Sequence, residues 1–340
     1  MPSLRRLLSR LLRRWDHGVT DDDIYYCYRL FLRRPPDPAG LAHHRREMAR
    51  GISLDELVSS FIKSEEARGL ARQGPTPVDL GGYQVCIDEE LETEPFLRRI
   101  VHTRDYEPHV RRAIRDRVRE GDVVVDVGAN VGCIALLAAA LVGERGLVAA
   151  VEPNPRNVQL LYAGMAVNAA QNVRVLPYAA SDRAGMASIT GGSNAHLVGA
   201  RPPGPAAVYA ETVVLDEALS WLSRLDLVKM DVEGHETPAF DGFRTLIERH
   251  RPALVIEFNP TCMINHGQAE PAALLDRILS LYPCVRVTSE HGDDVSFDRA
   301  SDLLRFWERR NAELKDARRI PDDSLHFDLI AERGRPRSTV

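Results

Sequence analysis

Four acids that each close an apolar run are where this chain could do chemistry: Asp126, Glu152, Asp231 and Glu257. The first sits in Val123-Val124-Val125-Asp126-Val127-Gly128-Ala129-Asn130-Val131-Gly132, a pattern that predicts a buried parallel strand breaking into a tight turn. An Ala- and Leu-rich stretch from Cys133 to Leu141 follows without a breaker, so the unit reads as strand, glycine turn, helix. Gly128 and Gly132 let a ligand approach the backbone closely. Their G-x-x-x-G spacing departs from the G-x-G-x-x-G that seats a pyrophosphate, and Asp126 beside it would repel one. An acid there suits a zwitterionic amino-acid group whose ammonium needs an acceptor, and S-adenosylmethionine presents such a group. Glu152, closing Val148-Ala149-Ala150-Val151 twenty residues past Gly132, is placed to accept from both ribose hydroxyls.

The order and separation of several segments resemble the FkbM-type methyltransferases, a branch of the class I S-adenosylmethionine-dependent enzymes. The segments are Tyr106-Glu107-Pro108, Gly121-Asp122, Asp126 through Gly132 with Asn130 inside it, Glu152-Pro153-Asn154-Pro155, Ala180-Ser181-Asp182, and Lys229-Met230-Asp231-Val232-Glu233-Gly234-His235-Glu236. The resemblance runs from about Tyr106 to Glu257. It implies S-adenosylmethionine as cofactor, with Glu107 walling its pocket and Asp182, next to Ser181, accepting from the adenine amino group. A helix cap for Tyr106 and Glu107, and a surface turn for Asp182, are the ordinary alternatives.

Asp231, Glu233 and Glu236 fall within six residues, enough to hold a sulfonium's charge and to offer a base for a hydroxyl. Glu236 has an ordinary explanation as well, since first-turn acids are favoured by the helix dipole. That same dipole disfavours imidazolium at His235, which could then accept a proton near neutral pH, although Glu233 and Glu236 pull the other way. A rival scheme lets Asp231, Glu257 and Asn259 hold a divalent ion that acidifies the acceptor, as in catechol-type methyltransferases. The tandem acid-amide pair of those enzymes is missing, so the expectation is metal-free catalysis with Asp231 or His235 as base.

The elements that must position these residues alternate strand and helix, and the resemblance implies a class I methyltransferase (Rossmann-like) α/β fold. It would have a mostly parallel seven-stranded sheet with helices on both faces, its last strands antiparallel by the same resemblance, plus a small N-terminal all-α domain. Residues 187–205, rich in Gly, Pro, Ser and Asn, read as a long loop covering the site, where Asn194 and His196 could meet substrate. Upstream, Tyr28-Arg29, Pro36-Asp37, Gly40-Leu41 and Ser64-Glu65-Glu66 resemble a small bacterial helical domain of unknown function found beside enzymes of cell-surface glycans. The expected division is 1–18 basic amphipathic helix, 19–72 helical domain, 73–78 linker, 79–332 methyltransferase domain and 333–340 disordered tail.

A formal net charge of -5 argues against a nucleic-acid partner, which usually calls for a strong basic excess. Five scattered cysteines with no C-x-x-C suit reduced thiols in a cytoplasm and disfavour zinc. No apolar run is long enough to span a membrane. Leu and Arg alternate around residues 4–15 at helical spacing, a pattern that packs on protein or rests peripherally on the inner face of a membrane. The leading expectation is O-methylation of a sugar hydroxyl on a glycan or small molecule. The alternatives are a polyketide or other natural-product acceptor, an NAD-dependent dehydrogenase, and a non-catalytic S-adenosylmethionine-binding platform.

Overall fold

The computed structural model describes residues 19–32, 35–67, 75–88, 95–189, 197–198, 208–320 and 325–333. The basic segment 4–15, the loop residues Asn194 and His196, and residues 334–340 of the tail lie outside this set. No helix among the described residues is long and apolar enough to cross a membrane. The chain divides into two compact units, residues 1–75 and 76–340.

The first unit holds α1 (Asp21–Leu32), α2 (Pro38–Ala49) and α3 (Leu54–Lys63). Ser53 and Glu56 close α3 with a reciprocal capping box. Asp37 caps α2 through the Gly40 amide at 2.9 Å. Ile24, Cys27, Tyr28, Leu57 and Phe61 form the core, with Tyr28 packed where a Gly40 side chain would stand.

The second unit opens with an antiparallel hairpin, β1 (Thr76–Asp79) and β2 (Gln84–Ile87). The expected linker therefore stops at Pro75: Val78 is an inward-facing strand residue, and Thr76 and Pro77 pair with Ile87 and Cys86. Then come α4 (Pro95–Thr103), α5 (Pro108–Arg117), β3 (Val123–Val127), α6 (Cys133–Val142), β4 (Leu147–Val151), α7 (Pro155–Val167) and β5 (Val173–Leu176). Four short strands, β6 (Ala179–Ala180), β7 (Gly185–Ile189), β8 (Leu197–Val198) and β9 (Val208–Val213), make a separate sheet in the order 6-9-7-8. The start of the expected long loop is thus strand β7, in which the apolar Met186 is exposed and the polar Ser188 buried, so its sequence carries no usual alternation. The chain continues through α8 (Leu215–Ala218), β10 (Leu227–Met230), α9 (Glu236–Asp241), α10 (Arg244–His250), β11 (Ala253–Phe258), α11 (Pro260–Asn265) and α12 (Pro271–Leu281). It ends with β12 (Val285–Thr288), β13 (Asp294–Phe297), α13 (Ala300–Asp316) and β14 (Phe327–Ala331).

The main sheet runs 13-12-14-11-10-3-4-5, parallel from β11 to β5 and antiparallel where β14 joins β11 and β12. Hairpin partner β13 adds one strand beyond seven. Side chains alternate across the sheet. Val125, Val127, Val228, Met230 and Ile256 face one apolar layer with α9, α10 and α12, and Val124, Val148, Leu227 and Val255 face the other with α4 to α7. The strand order reverses between β3 and β10, so the loops after these two strands diverge and open a crevice.

The hairpin sets where the second unit begins. A chain starting at Pro75 should keep the far-UV circular dichroism of the sheet and unfold cooperatively in urea. Starting at Gly81 strips Val78 and Leu80 from the core, and should cost about 2 kcal/mol or more by the scale of buried-side-chain loss. Equal urea midpoints for the two would show that β1 contributes nothing to the unit.

Candidate active site

A cleft of ≈ 320 Å³ opens at the carboxyl ends of β3, β4, β10 and β11. Of the expected residues it is lined by Glu107, Gly128, Asn130, Glu152, Asp231, Glu233 and Glu257. Each stands where a strand stops or a helix starts. Gly128, with φ 78°, turns the chain directly over the Asp231 carbonyl, and a Cβ there would overlap that oxygen.

Glu152 is held from behind. Its Oε1 accepts from the Asn154 amide at 2.8 Å and the Asn157 Nδ2 at 3.2 Å, and its Oε2 from the Asn130 amide at 2.8 Å. Burial nevertheless pushes the Glu152 carboxyl up to about 7, against the pull of those donors. Two hydroxyl donors arriving from the cleft would favour its ionised form.

The floor is ionic. Lys229 is 4% exposed, and its Nζ lies 3.6 Å from Asp126 Oδ1, 3.3 Å from Asp231 Oδ2 and 3.1 Å from the Gly128 carbonyl. Burial opposes the ammonium, but Asp231 and Asp126 hold its pKa above the usual range. Asp126 is fully buried, pushed up to about 6 by burial with Lys229 pulling back. It lies beneath the cleft, not on its wall, so the direct contact with an ammonium expected of Asp126 is not what this geometry offers. Lys229 stands between, a residue whose role the sequence reading missed.

Acids crowd the wall above. Burial pushes Glu233 up to about 8 and Glu236 to about 7, with Asp231 adding to both, and it drives Glu257 and Glu107 well above the carboxylate range. Glu107 occupies the N-cap of α5 but makes no side-chain cap bond, and its carboxyl turns to the cleft. Asn259 lines the cleft too, yet its Oδ1 accepts from the Cys262 amide at 3.1 Å as the cap of α11. That bond takes one of the two lone pairs of its amide oxygen.

Gly132, Ser181, Asp182 and His235 do not line the cleft. Gly132 caps α6 with φ 96° against Leu161 and Leu136. Ser181 Oγ lies 3.1 Å from His235 Nε2 and 3.2 Å from Asp182 Oδ1. Burial lowers the His235 pKa, which suits the expected neutral ring, while its Nε2 is engaged by Ser181 Oγ outside the cleft lining. Residues that no motif announced complete the lining, among them Phe96, Arg99, His109, Tyr178, Glu290 and His326. Arg99 pairs with Glu290 at 3.0 Å and His109 with Asp328 at 2.8 Å, contacts spanning 191 and 219 residues that no local spacing could reveal.

Among solved structures, the chain is similar to methyltransferase FkbM from Methylobacillus flagellatus KT, at 16% identity and TM-score 0.37, covering 77% of this chain and 71% of that one. It is also similar to an S-adenosylmethionine-dependent O-methyltransferase from Thermotoga maritima, at 13% identity and TM-score 0.36, covering 79% and 82%. A precorrin-6y C5,15-methyltransferase from Geobacter metallireducens GS-15 matches at 12% identity and TM-score 0.35, covering 66% and 88%. No curated protein matches the chain. Residues 126–281, from the acid that ends β3 to the last residue of α12, match the model of the methyltransferase FkbM domain.

Proposed function

We propose that this protein moves a methyl group from S-adenosylmethionine to a hydroxyl oxygen of a sugar in glycan biosynthesis. The observation that carries the reading is the cleft at the reversal of strand order, with Glu152 fixed by two backbone amides at one end and an excess of carboxylates at the other. Glu152 takes the ribose hydroxyls, Gly128 and Asn130 give the backbone close approach, and Tyr178 and Pro153 flank the adenine. Lys229 and Asp126 set the floor beneath the amino-acid end. When bound, the cofactor supplies a methyl carbon already joined to a good leaving group, so the protein's work is alignment and exclusion of water.

The acceptor's proton goes to a wall carboxylate. Asp231 Oδ2 is engaged by Lys229. Glu233 lines the cleft on a left-handed backbone (φ 55°), and no ion pair to it occurs among the described residues. Glu233 is the proton acceptor in this scheme. A hydroxyl acceptor fits because alkyl hydroxyls need such a base, and the negative cleft and chain charge of -5 favour a neutral sugar over a nucleic acid. We place the activity in the cytoplasm, with segment 4–15 as its contact to the inner membrane face.

Three outcomes test this. Glu152→Ala removes the carboxylate that accepts from the ribose, so calorimetry should show S-adenosylmethionine binding weaker by at least about tenfold. Unchanged affinity would remove Glu152 from the site.

Cofactor affinity should also rise with pH. In the free protein Glu152 binds a proton up to about pH 7, and a bound ribose favours the ionised form, so the proton must leave on binding. Dissociation constants should fall up to about tenfold between pH 6 and 8, as one unit of pKa corresponds to a factor of ten. A flat profile counts against the Glu152 contact.

Glu233→Gln should lower kcat by about a hundredfold or more while S-adenosylmethionine still binds, whereas His235→Ala should stay within about threefold of the parent. The readout is S-adenosylhomocysteine release over a panel of glycosides, with mass spectrometry locating the new methyl. Methylation at carbon or nitrogen, or turnover lost only with His235, would replace this scheme.

A further inference from the structure

The acids that end β10 and β11 meet the first residue of α9. One carboxylate oxygen each from Asp231, Glu236 and Glu257 lies within 4.8 Å of the other two. Two oxygens sharing one ion stand at most twice the metal-oxygen distance apart, about 4.2 Å around magnesium and about 5 Å around calcium. The spacing therefore fits a single ion with little adjustment.

Glu236 carries the argument further. It is 1% exposed, and its Oε1 accepts from the Val232 amide at 3.0 Å and the Gly234 amide at 3.1 Å. Gly234, with φ 97°, makes that turn against the Cys262 carbonyl, where a Cβ would not fit. These two bonds fix the carboxylate and leave Oε2 buried with no hydrogen-bond partner. Glu257 Oε2 is buried and unpartnered in the same way. Among the described residues no Lys, Arg or His nitrogen lies within ion-pair distance of either, and Lys229 reaches only Asp231 and Asp126. Buried carboxylates without a counter-charge are costly to maintain, and oxygen ligands oriented by backbone amides are how proteins hold hard cations. Asp231 and Glu257 line the cleft and so give an ion its way in.

We propose that Asp231, Glu236 and Glu257 form a binding site for one hard divalent cation of the magnesium, manganese or calcium kind, set in the wall of the cleft. The all-carboxylate donor set selects such ions over zinc or copper. The site stands on side chains of the free protein and needs neither cofactor nor acceptor. It replaces the expected metal-free arrangement, and it puts Glu236 where Asn259 was expected. Its place beside Glu233 means that the ion would also hold an acceptor oxygen, the part of the proposal that rests on the methyl-transfer reading.

The test uses the full chain, stripped with chelator and titrated with manganese chloride, following free manganese by electron paramagnetic resonance. Saturation at one manganese per chain is expected, with displacement by magnesium or calcium. Glu236→Gln and, at the cleft rim, Glu257→Gln should each weaken binding at least about tenfold, while Glu248→Gln on the exposed face of α10 leaves it unchanged. Circular dichroism on each variant confirms the fold. No saturable binding at millimolar manganese, or full affinity in folded Glu236→Gln and Glu257→Gln, overturns the site. Calorimetry with S-adenosylmethionine on the same samples separates failure of the cation site from failure of the methyltransferase reading.

Discussion

The ammonium of Lys229 is what lets two neighbouring parallel strands both end in acids. In the register of the sheet Lys229 stands directly opposite Asp126, and the alternation of side chains brings Asp231 to the same face two residues later. Without a cation between them, two carboxylates in a layer otherwise made of Val124, Val148 and Leu227 would repel in a medium that screens little. With it, Asp126 becomes a buried counter-ion instead of a wall residue, and Asp231 is free to present its other oxygen upward. Breaking one member of such a pair typically costs about 3 to 5 kcal/mol, because the partner's charge is left uncompensated. The cofactor end and the acid cluster above it thus share one electrostatic foundation.

Backbone strain falls around the same cleft. Glu107, Asn130 and Glu233 line it, and all three are non-glycine residues in the left-handed region, with φ of 37°, 50° and 55°. Each such residue costs on the order of 1 kcal/mol or more, and it persists only where the surroundings over-determine it. Here the causes can be named. Asn130 is turned so that its amide meets Glu152. Glu107 precedes Pro108, which narrows its choices, and its carboxyl joins the cleft lining. Glu233 sits between Asp231 and the Gly234 turn that serves Glu236. Strain and burial of charge are paid by the two apolar layers of the sheet.

Much of this was legible in the sequence because parallel strands buried on both faces write themselves as apolar runs, and β3, β4, β10 and β11 each do so. The acids closing those runs were legible for the same reason, as interruptions. What the pattern could not show is depth: Asp126 and Glu152 read alike, yet one lies under the floor and the other on the wall. Nor could it show which way a side chain turns after a strand ends. His235 and Glu236 are adjacent, and the more chemically suggestive of the two is tied to Ser181, while the one with an ordinary helix-start explanation reaches the acid cluster. Short strands such as β7, with Met186 exposed and Ser188 buried, left no periodic trace, and the N-terminal hairpin began inside what composition marked as a linker.

The cleft is built from two sources that differ in how they are encoded. The segment matched to the FkbM model supplies Gly128, Glu152, Asp231, Glu233 and Glu257, all within a few residues of a strand end. Phe96, Arg99, Glu107 and His109 come from α4 and the start of α5, and Glu290 and His326 from the loops after β12 and before β14, all outside residues 126–281. Cross-links such as Arg99 to Glu290 and His109 to Asp328 tie these outlying pieces together over the carboxyl ends of the strands. The sheet positions the first set by register alone, so its geometry follows from the fold. The second set is positioned by long-range pairs, so its chemistry can change without disturbing the sheet. Apart from Glu107, which belongs to the Tyr106-Glu107-Pro108 motif, the second set is the part of the site that the shared motifs do not describe.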